Sequence, residues 1–360
     1  MEKKLKSWQG WLLFGGTMVV VFVLGMIAAS VNERHAEVTS VMNNKKTEIT
    51  GIEARNDKFE SNYPREYQTW EATADTSFKS LYNGNQAVDV LEARPEMVIL
   101  WAGYAFSKDY STPRGHMHAI EDMRNTLRVG APMTENEGPQ PATCWTCKSP
   151  DVPRMMQAMG VDNFYKGKWA SLGKEIMNPI GCADCHMPYK SEGGVKYSDH
   201  HIQSPLAMID RTCQVCHRES EETLRNNVYE RQNKANEMRN RLETELAKAH
   251  IEAKFAWDKG ATEDQMKDVL KLIRQAQWRW DFGVASHGGA FHAPQEIQRI
   301  LGNGLDKAMQ ARLATAKVLA KLGYTDDVPM PDFSTKEKAQ QYIGLDMAAE
   351  RTAKEKFLNT

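Results

Sequence analysis

Hydrophobic positions follow three different patterns along the 360-residue chain. From Trp11 to Val31 they form a nearly continuous apolar run, about long enough to cross a bilayer at ~1.5 Å per residue. Residues 32 to about 75 are polar without a sustained apolar period and read as a stalk. Tyr67–Asp89 and Leu91–Phe106 read as mixed helix and loop, with Trp70, Tyr82, Trp101 and Tyr104 irregularly spaced. Between 144 and 217 lie Pro-, Gly- and Ser-containing loops such as KSPDVPR and MPYKSEGGVKYSDHH, in place of alternating strand-like runs.

After Arg218 the pattern becomes that of long charged helices with narrow apolar stripes. Met238, Leu242 and Leu246 recur every fourth residue. Thr262 with Gln265 predicts a capping box, followed by a face of Met266, Val269, Leu270, Ile273 and Trp280. Pro294 suits the first turn of a helix carrying Ile297, Ile300, Leu301 and Leu305. Ser334 with Glu337 reads as another capping box, its helix closed near Gly344. The stripes predict a bundle.

Lys3, Lys4 and Lys6 precede the N-terminal apolar run, the pattern of an export signal. Ala28-Ala29-Ser30 offers small residues for cleavage, whereas the length of the run favours an uncleaved anchor. Either way the lysines stay in the cytoplasm and the rest lies outside. The mean hydropathy of −0.59 and a hydrophobic share of 41% are low for this length, so something besides aliphatic side chains is expected to fill the interior. A formal net charge of −1 supplies no basic excess for nucleic acid and no acidic excess of the disordered kind.

All six cysteines fall in three C-x-x-C pairs, Cys144/Cys147, Cys182/Cys185 and Cys213/Cys216. A disulfide framework could use six cysteines, but such frameworks rarely consist only of close pairs each followed by a metal ligand. His186 and His217 directly follow the second cysteine of their motifs, the arrangement of c-type haem, in which two thioethers fix the porphyrin edge and the next residue reaches iron. A zinc ribbon has no need for that abutting histidine, and a thioredoxin-like motif would sit near a βαβ pattern absent here. A six-coordinate electron-transfer haem needs a second histidine, and His116, His118, His200, His201, His250, His287 and His292 are the candidates. In the first motif the ligand position holds Lys148. An amine there implies a site that keeps it deprotonated, with the opposite face open to a small substrate.

TCWTCKSPDVPR, GCADCHMP and KYSDHHIQSPLAMIDRTCQVCH resemble the ammonia-forming cytochrome c nitrite reductases, a pentahaem periplasmic family. The resemblance runs from about Tyr63 to Gly344 and includes PRGHMHAIEDMRNTLRVGAP and FHAP. It implies that Lys148 is the proximal ligand of the catalytic haem held by Cys144 and Cys147, and that Arg128 is the active-site arginine. It further implies distal ligands at His116, His200 and His292, and a last haem at Cys213, Cys216 and His217. Family members carry five motifs and this chain three. The motif at Cys182 is preceded by sequence like the approach to the family's second haem and followed by sequence like that after the fourth, which predicts a deletion around Gly181–His186. The missing part would carry the third motif, the catalytic tyrosine and histidine, and the calcium ligands. On this reading His116 loses its haem, His186 pairs with either His200 or His292, and the haem at Cys213 has no obvious distal partner.

The resulting expectation is a mainly α multihaem cytochrome c with long C-terminal helices and little β. Residues 1–36 form a signal peptide or membrane anchor, 37–220 the multihaem catalytic region and 221–360 the long-helix bundle, which contributes a distal ligand and a homodimer interface. The resemblance implies six-electron reduction of nitrite to ammonium, with a quinol-oxidising multihaem membrane cytochrome as donor and a periplasmic location, anchored or not to the inner membrane. A non-catalytic electron carrier, or an inactive shortened enzyme, is the alternative.

Overall fold

In a computed structural model of the chain, the described residues are 7–43, 46–49, 53–82, 84–128, 142–167, 172, 175–181, 189–192, 195–286 and 288–359. The fold is mainly α. Helix α1 (Ser7–Asn43) runs well past the apolar stretch. Its Ser7–Ala36 portion, with a hydropathy of 2.4 and none of it buried, is the one described helix long and apolar enough to cross a membrane. The polar stretch after it is therefore not a uniform stalk. It continues α1, then forms α2 (Asp57–Glu60) and α3 (Pro64–Glu71), where Pro64 takes the first-turn position and Thr69 and Trp70 are buried.

Short elements follow. Asp89 caps α4 (Val90–Ala93) by accepting from the Leu91 and Glu92 amides, and α5 (Glu96–Leu100) buries Met97 to Leu100. Helix α6 (Ala119–Asn125) comes next, then a 3-10 turn over Ala142–Cys147, α7 (Asp151–Met159) and α8 (Val161–Lys166). Where the sequence suggested only loop, β1 (Tyr189–Glu192) pairs antiparallel with β2 (Val195–Ser198), Glu192 opposite Val195. The two glycines between them are the usual signal of a tight hairpin. Helix α9 (Ile209–Thr212) leads into the third cysteine motif.

The bundle consists of α10 (Glu221–Asp258), α11 (Glu263–Ala285) and α13 (Pro294–Lys321), with the single turn α12 (Gly289–His292) before α13 and α14 (Lys336–Tyr342) and α15 (Met347–Leu358) after it. Leu242, Leu246, Met266, Val269, Ile273, Trp280, Ile297 and Leu301 are buried, as the stripes predict, together with Leu91 and Met97 to Leu100 of the short helices. Leu270 lies on the flank of its stripe and is 43% exposed. The Thr262–Gln265 capping box forms, with the Thr262 amide donating to Gln265 Oε1 at 2.8 Å. The second predicted box does not. Thr335, one residue after Ser334, caps α14 by accepting from the Lys338 amide at 3.3 Å, and the chain leaves the helix through Gly344 at φ 81°.

Charge is also built into this core. Glu243, 1% exposed, accepts from Arg94 Nη1 at 2.8 Å and from Trp280 Nε1 at 2.9 Å, with Arg239 Nε 3.3 Å away. Burial and the neighbouring Arg94 push the Arg239 guanidinium down to about 10, and Glu243 opposes that shift.

Candidate functional site

The first motif is a tight helical turn. Inside the Ala142–Cys147 turn the Trp145 carbonyl accepts from the Lys148 amide at 2.8 Å and from the Ser149 amide at 3.3 Å, which folds the lysine back beside its cysteines. Trp145, between the two cysteines, is fully buried with Ile120, Val152, Met155, Phe164, Leu172 and Ile176. Cys147 is an exposed, unbridged thiol; of Cys144 only the backbone is described.

Asp151, 1% exposed, locks this turn to the loop before the second motif. Its carboxylate accepts from the amides of Met177 and Asn178, both at 2.8 Å, and from the Asn178 side chain. The Lys148 carbonyl accepts from the Ile180 amide at 2.9 Å. The S-P-D of KSPD is the sequence signal for this lock, but its distant partners cannot be read from spacing.

Arg128 lies in the turn three residues after α6, whose Ile120 packs on the Trp145 cluster. Its guanidinium lies over the rings of Phe106 and Tyr110, 5.1 and 5.3 Å from their centroids, and its Nε donates to Thr126 Oγ1 at 3.3 Å. Asp109 holds that loop, accepting from Thr126 Oγ1 at 2.9 Å and from the Leu127 amide at 3.1 Å. The sequence singled out Arg128 but not Phe106, Asp109, Tyr110 and Thr126, which set its position.

The C-terminal helices brace the same region. Lys108 pairs with Glu350 at 2.7 Å, and Gln340 donates to the carbonyls of Ser107 and Lys108. Phe357 packs on the Trp145 cluster, and Lys354, 5% exposed, lies with its ammonium 5.2 Å from the Phe357 ring centroid. Burial pushes Lys354 down to about 8 although Asp109 opposes the shift.

Cys182, Cys185 and His186 of the second motif lie outside the described residues, as does His287. Both flanks of the motif dock on neighbouring parts of the chain. Trp70 Nε1 donates to the Ile180 carbonyl at 3.0 Å, and Asn56 Nδ2 to the Pro179 carbonyl at 2.7 Å. A Cβ on Gly181 would lie 2.0 Å from Asn56 Oδ1, so only glycine permits this approach. On the other flank the His200 amide donates to Thr69 Oγ1 at 2.8 Å, beside Trp70. His200 is 7% exposed, with Nδ1 3.0 Å from the Ser198 carbonyl. Because a carbonyl only accepts, that contact puts a proton on Nδ1, as in the second-sphere arrangement of many metal-binding histidines.

His116 is half-buried in a 3-10 turn whose entry requires glycine, because a Cβ on Gly115 would lie 1.7 Å from the Thr73 carbonyl. Its neighbour His118 is engaged structurally, with Nε2 3.1 Å from the Ala74 carbonyl and Nδ1 3.3 Å from Glu121. His250 is held in the bundle by Gln277, where burial lowers its pKa.

The third motif is again a helical turn, in which the Cys213 carbonyl accepts from the amides of Cys216 and His217 at 3.1 and 2.9 Å. Cys213 and Cys216 are unbridged, and His217 and Val215 are exposed, Val215 at 73%. Two reachable thiols, an adjacent imidazole and an apolar side chain left in the open suit a covalently attached porphyrin. Among the described residues no three His, Cys, Asp or Glu side chains converge as a bare-ion site.

Set beside known proteins, the chain matches the family described as cytochrome c552 twice, over residues 55–186 and over 180–360. The seven shared residues, IGCADCH, contain the second cysteine motif. Cytochrome c-552 of Parabacteroides distasonis is 75% identical, with the match covering 100% of this chain and 96% of that protein. The Bacteroides thetaiotaomicron and Porphyromonas gingivalis proteins of the same name are 60% and 54% identical. These alignments run over 475 positions against the chain's 360 residues, so more than a hundred positions of the relatives have no counterpart here. Among solved structures, the cytochrome c nitrite reductase of Desulfovibrio desulfuricans shares the fold, with a TM-score of 0.64 over 84% of this chain and 91% of that one at 18% identity.

Proposed function

Because the chain belongs to the cytochrome c552 family, we propose that it is a haem c oxidoreductase reducing nitrite to ammonium at a haem held by Cys144, Cys147 and Lys148. The observation that carries this reading is the placement of the Lys148 turn and the helix leading to Arg128 on one buried cluster, around Trp145 and Ile120.

Cys144, Cys147 and Lys148 would hold haem c there, and it would supply an iron that takes up electrons and binds a small anion. The Asp151 lock and the Trp145 carbonyl hold Lys148 in register with its cysteines. Arg128 supplies a permanent positive charge. Braced on Phe106, Tyr110 and Thr126, its planar guanidinium matches the paired oxygens of nitrite. Fixed before the anion arrives, it stabilises negative charge without reorganising. His186 with His200, and His217, would hold the haems that deliver electrons.

The reading extends to partners and place. A quinol-oxidising membrane cytochrome is the proposed donor and the periplasm the proposed location, with α1 as signal or anchor. Trp278 and Phe282 on α11 and Met309 and Leu313 on α13, all exposed, support a homodimer through the bundle. The family's catalytic tyrosine and histidine fall in the missing segment. Turnover is therefore expected about 10²–10⁴-fold below that of a full-length relative, the usual worth of general acid help.

Ammonium formation from nitrite by the haem-loaded protein with an artificial reductant tests the proposal. Arg128→Ala is expected to weaken nitrite binding by about 10- to 100-fold, the cost of one charge-assisted pair. Lys148→Ala is expected to abolish turnover. A fully loaded protein that forms no ammonium would overturn the proposal and leave an electron carrier.

A further inference from the structure

We infer that Trp101, seated on Trp280 of the bundle core, is a positioning residue that fixes the plane of the Arg128 guanidinium and so sets the anion affinity of the Lys148 site. The inference rests on the reading of Arg128 as the residue that holds nitrite. It makes the bundle a working part of that site rather than only a support for the fold.

An unbroken run of ring contacts joins the bundle core to the guanidinium. Trp280 on α11 is completely buried, and its Nε1 donates to Glu243 at 2.9 Å, so its ring cannot turn without breaking that bond. Trp101, half-buried at the end of α5, meets Trp280 edge to face with ring centroids 5.6 Å apart. The same Trp101 ring packs against Tyr110 at 4.9 Å and Phe106 at 5.3 Å. Phe106 and Tyr110 meet each other at 5.7 Å, and they are the two rings that the Arg128 guanidinium overlies.

Glu243 sets both sides of the contact between the tryptophans. Besides Trp280 it binds Arg94, whose carbonyl accepts from the Met97 amide at 3.1 Å in the first turn of α5. The Trp101 amide in turn donates to the Met97 carbonyl at 3.0 Å. One carboxylate therefore orients the Trp280 ring and the short helix that presents Trp101.

Phe106 and Tyr110 are only half-buried, and Trp101 is the ring that both share. A planar guanidinium stacks on aromatic faces, and holding it there costs less when the faces are already fixed. With an aliphatic side chain at 101 the two rings are free to turn, and Arg128 loses its preset direction while keeping its charge. Asp109 is the competing positioner, but it holds Thr126 and the Leu127 amide, that is, the backbone before Arg128, whereas the rings act on the guanidinium itself.

Optical titration of the oxidised, haem-loaded protein with nitrite, beside titration of the reduced protein with carbon monoxide, tests this without reference to turnover. Trp101→Leu is expected to weaken nitrite about 3- to 10-fold, the worth of a cation–π contact and the ring packing behind it, and to leave the neutral ligand unaffected. Trp101→Phe should bring nitrite affinity back to within about twofold of the parent, because an aromatic edge remains. In an Arg128→Ala background Trp101→Leu should change nothing further. Equal losses for nitrite and carbon monoxide, or a loss that persists without Arg128, would make Trp101 a general support of the fold and overturn the inference. So would unchanged nitrite binding in Trp101→Leu.

A parent protein that binds no nitrite defeats the reading of Arg128 as the nitrite residue, and the positioning is then read from phenylglyoxal labelling of Arg128, followed by peptide mass. Labelling should be several-fold faster in Trp101→Leu than in the parent or Trp101→Phe, and equal rates would overturn the inference. If Trp101→Leu does not accumulate, Trp280→Phe serves in its place, since it removes the bond to Glu243 and draws the ring back from Trp101. It should give the same pattern in smaller measure, and its silence in both measurements would overturn the inference.

Discussion

The long-helix bundle and the region of the cysteine motifs hide apolar surface in different ways. In the bundle, regular helices close a continuous core from their own side chains, with Leu242, Leu246, Met266 and Trp280 each completely buried. The motif region has short helices, 3-10 turns and one hairpin around two small clusters, while Val215 and Met177 stand exposed at 73% and 54%. Its backbone is held by scattered side-chain anchors such as Asp151, Asn56 and Trp70. A chain with few aliphatic residues can fold this way when a large rigid group such as haem c supplies the missing interior. The bundle needs no such help.

Removing the haems should therefore divide the molecule. Expressed without haem attachment, the protein is expected to keep slow amide exchange along α10, α11 and α13, while the segments around 144–180 and 195–220 lose nearly all protection. Uniform loss of protection would show that the bundle, too, depends on the cofactor. Within the bundle the largest single-residue effect is expected at Glu243. Glu243→Ala leaves the half-buried Arg94 and Arg239 side by side without their shared, buried carboxylate, which should cost about 3 kcal/mol. Denaturant unfolding of the holoprotein, followed by helix signal, measures it. A loss below about 1 kcal/mol would mean that water reaches these arginines.

The sequence made this division partly visible. A period near four exposes the bundle directly, because each stripe residue faces a neighbouring helix. Leu242, Leu246, Met266 and Trp280 could be named as core before any contact was known. The Thr262–Gln265 cap was equally local. The exact start of α14 was not, since Ser334 and Thr335 are both competent caps and only the backbone decides between them. The cysteine motifs and Lys148 were legible because their signal is a local spacing along the chain. The side chains that position them were not, because Asp151 acts on Met177 and Asn178, and Phe357 reaches the Trp145 cluster from the far end of the chain. The discontinuity around Gly181–His186 could be read from its mismatched flanks, and it coincides with the overlap of the two family matches at 180–186.

The subtlest difference between the regions lies where the C-terminal helix meets the Arg128 loop. Lys354 is buried against Phe357 near Asp109, and its folded pKa of about 8 lies below the 10.5 of an ordinary lysine. Below pH 8 both folded and unfolded chains carry the proton, so the full cost of burying the charge is present. Between about 8 and 10.5 the unfolded chain holds more protons than the folded one, and stability contributed by this group rises with pH. The gain across that window is expected to be roughly 1–3 kcal/mol. Other lysines and tyrosines titrate in the same range, so the measurement is the difference between the unaltered protein and Lys354→Met. The methionine variant should be the more stable of the two near pH 7, and the gap should close towards pH 10.5. A gap that does not change with pH would mean that Lys354 is paired well enough with Asp109 to keep its proton, and that α15 holds the Arg128 loop through a charge rather than through packing.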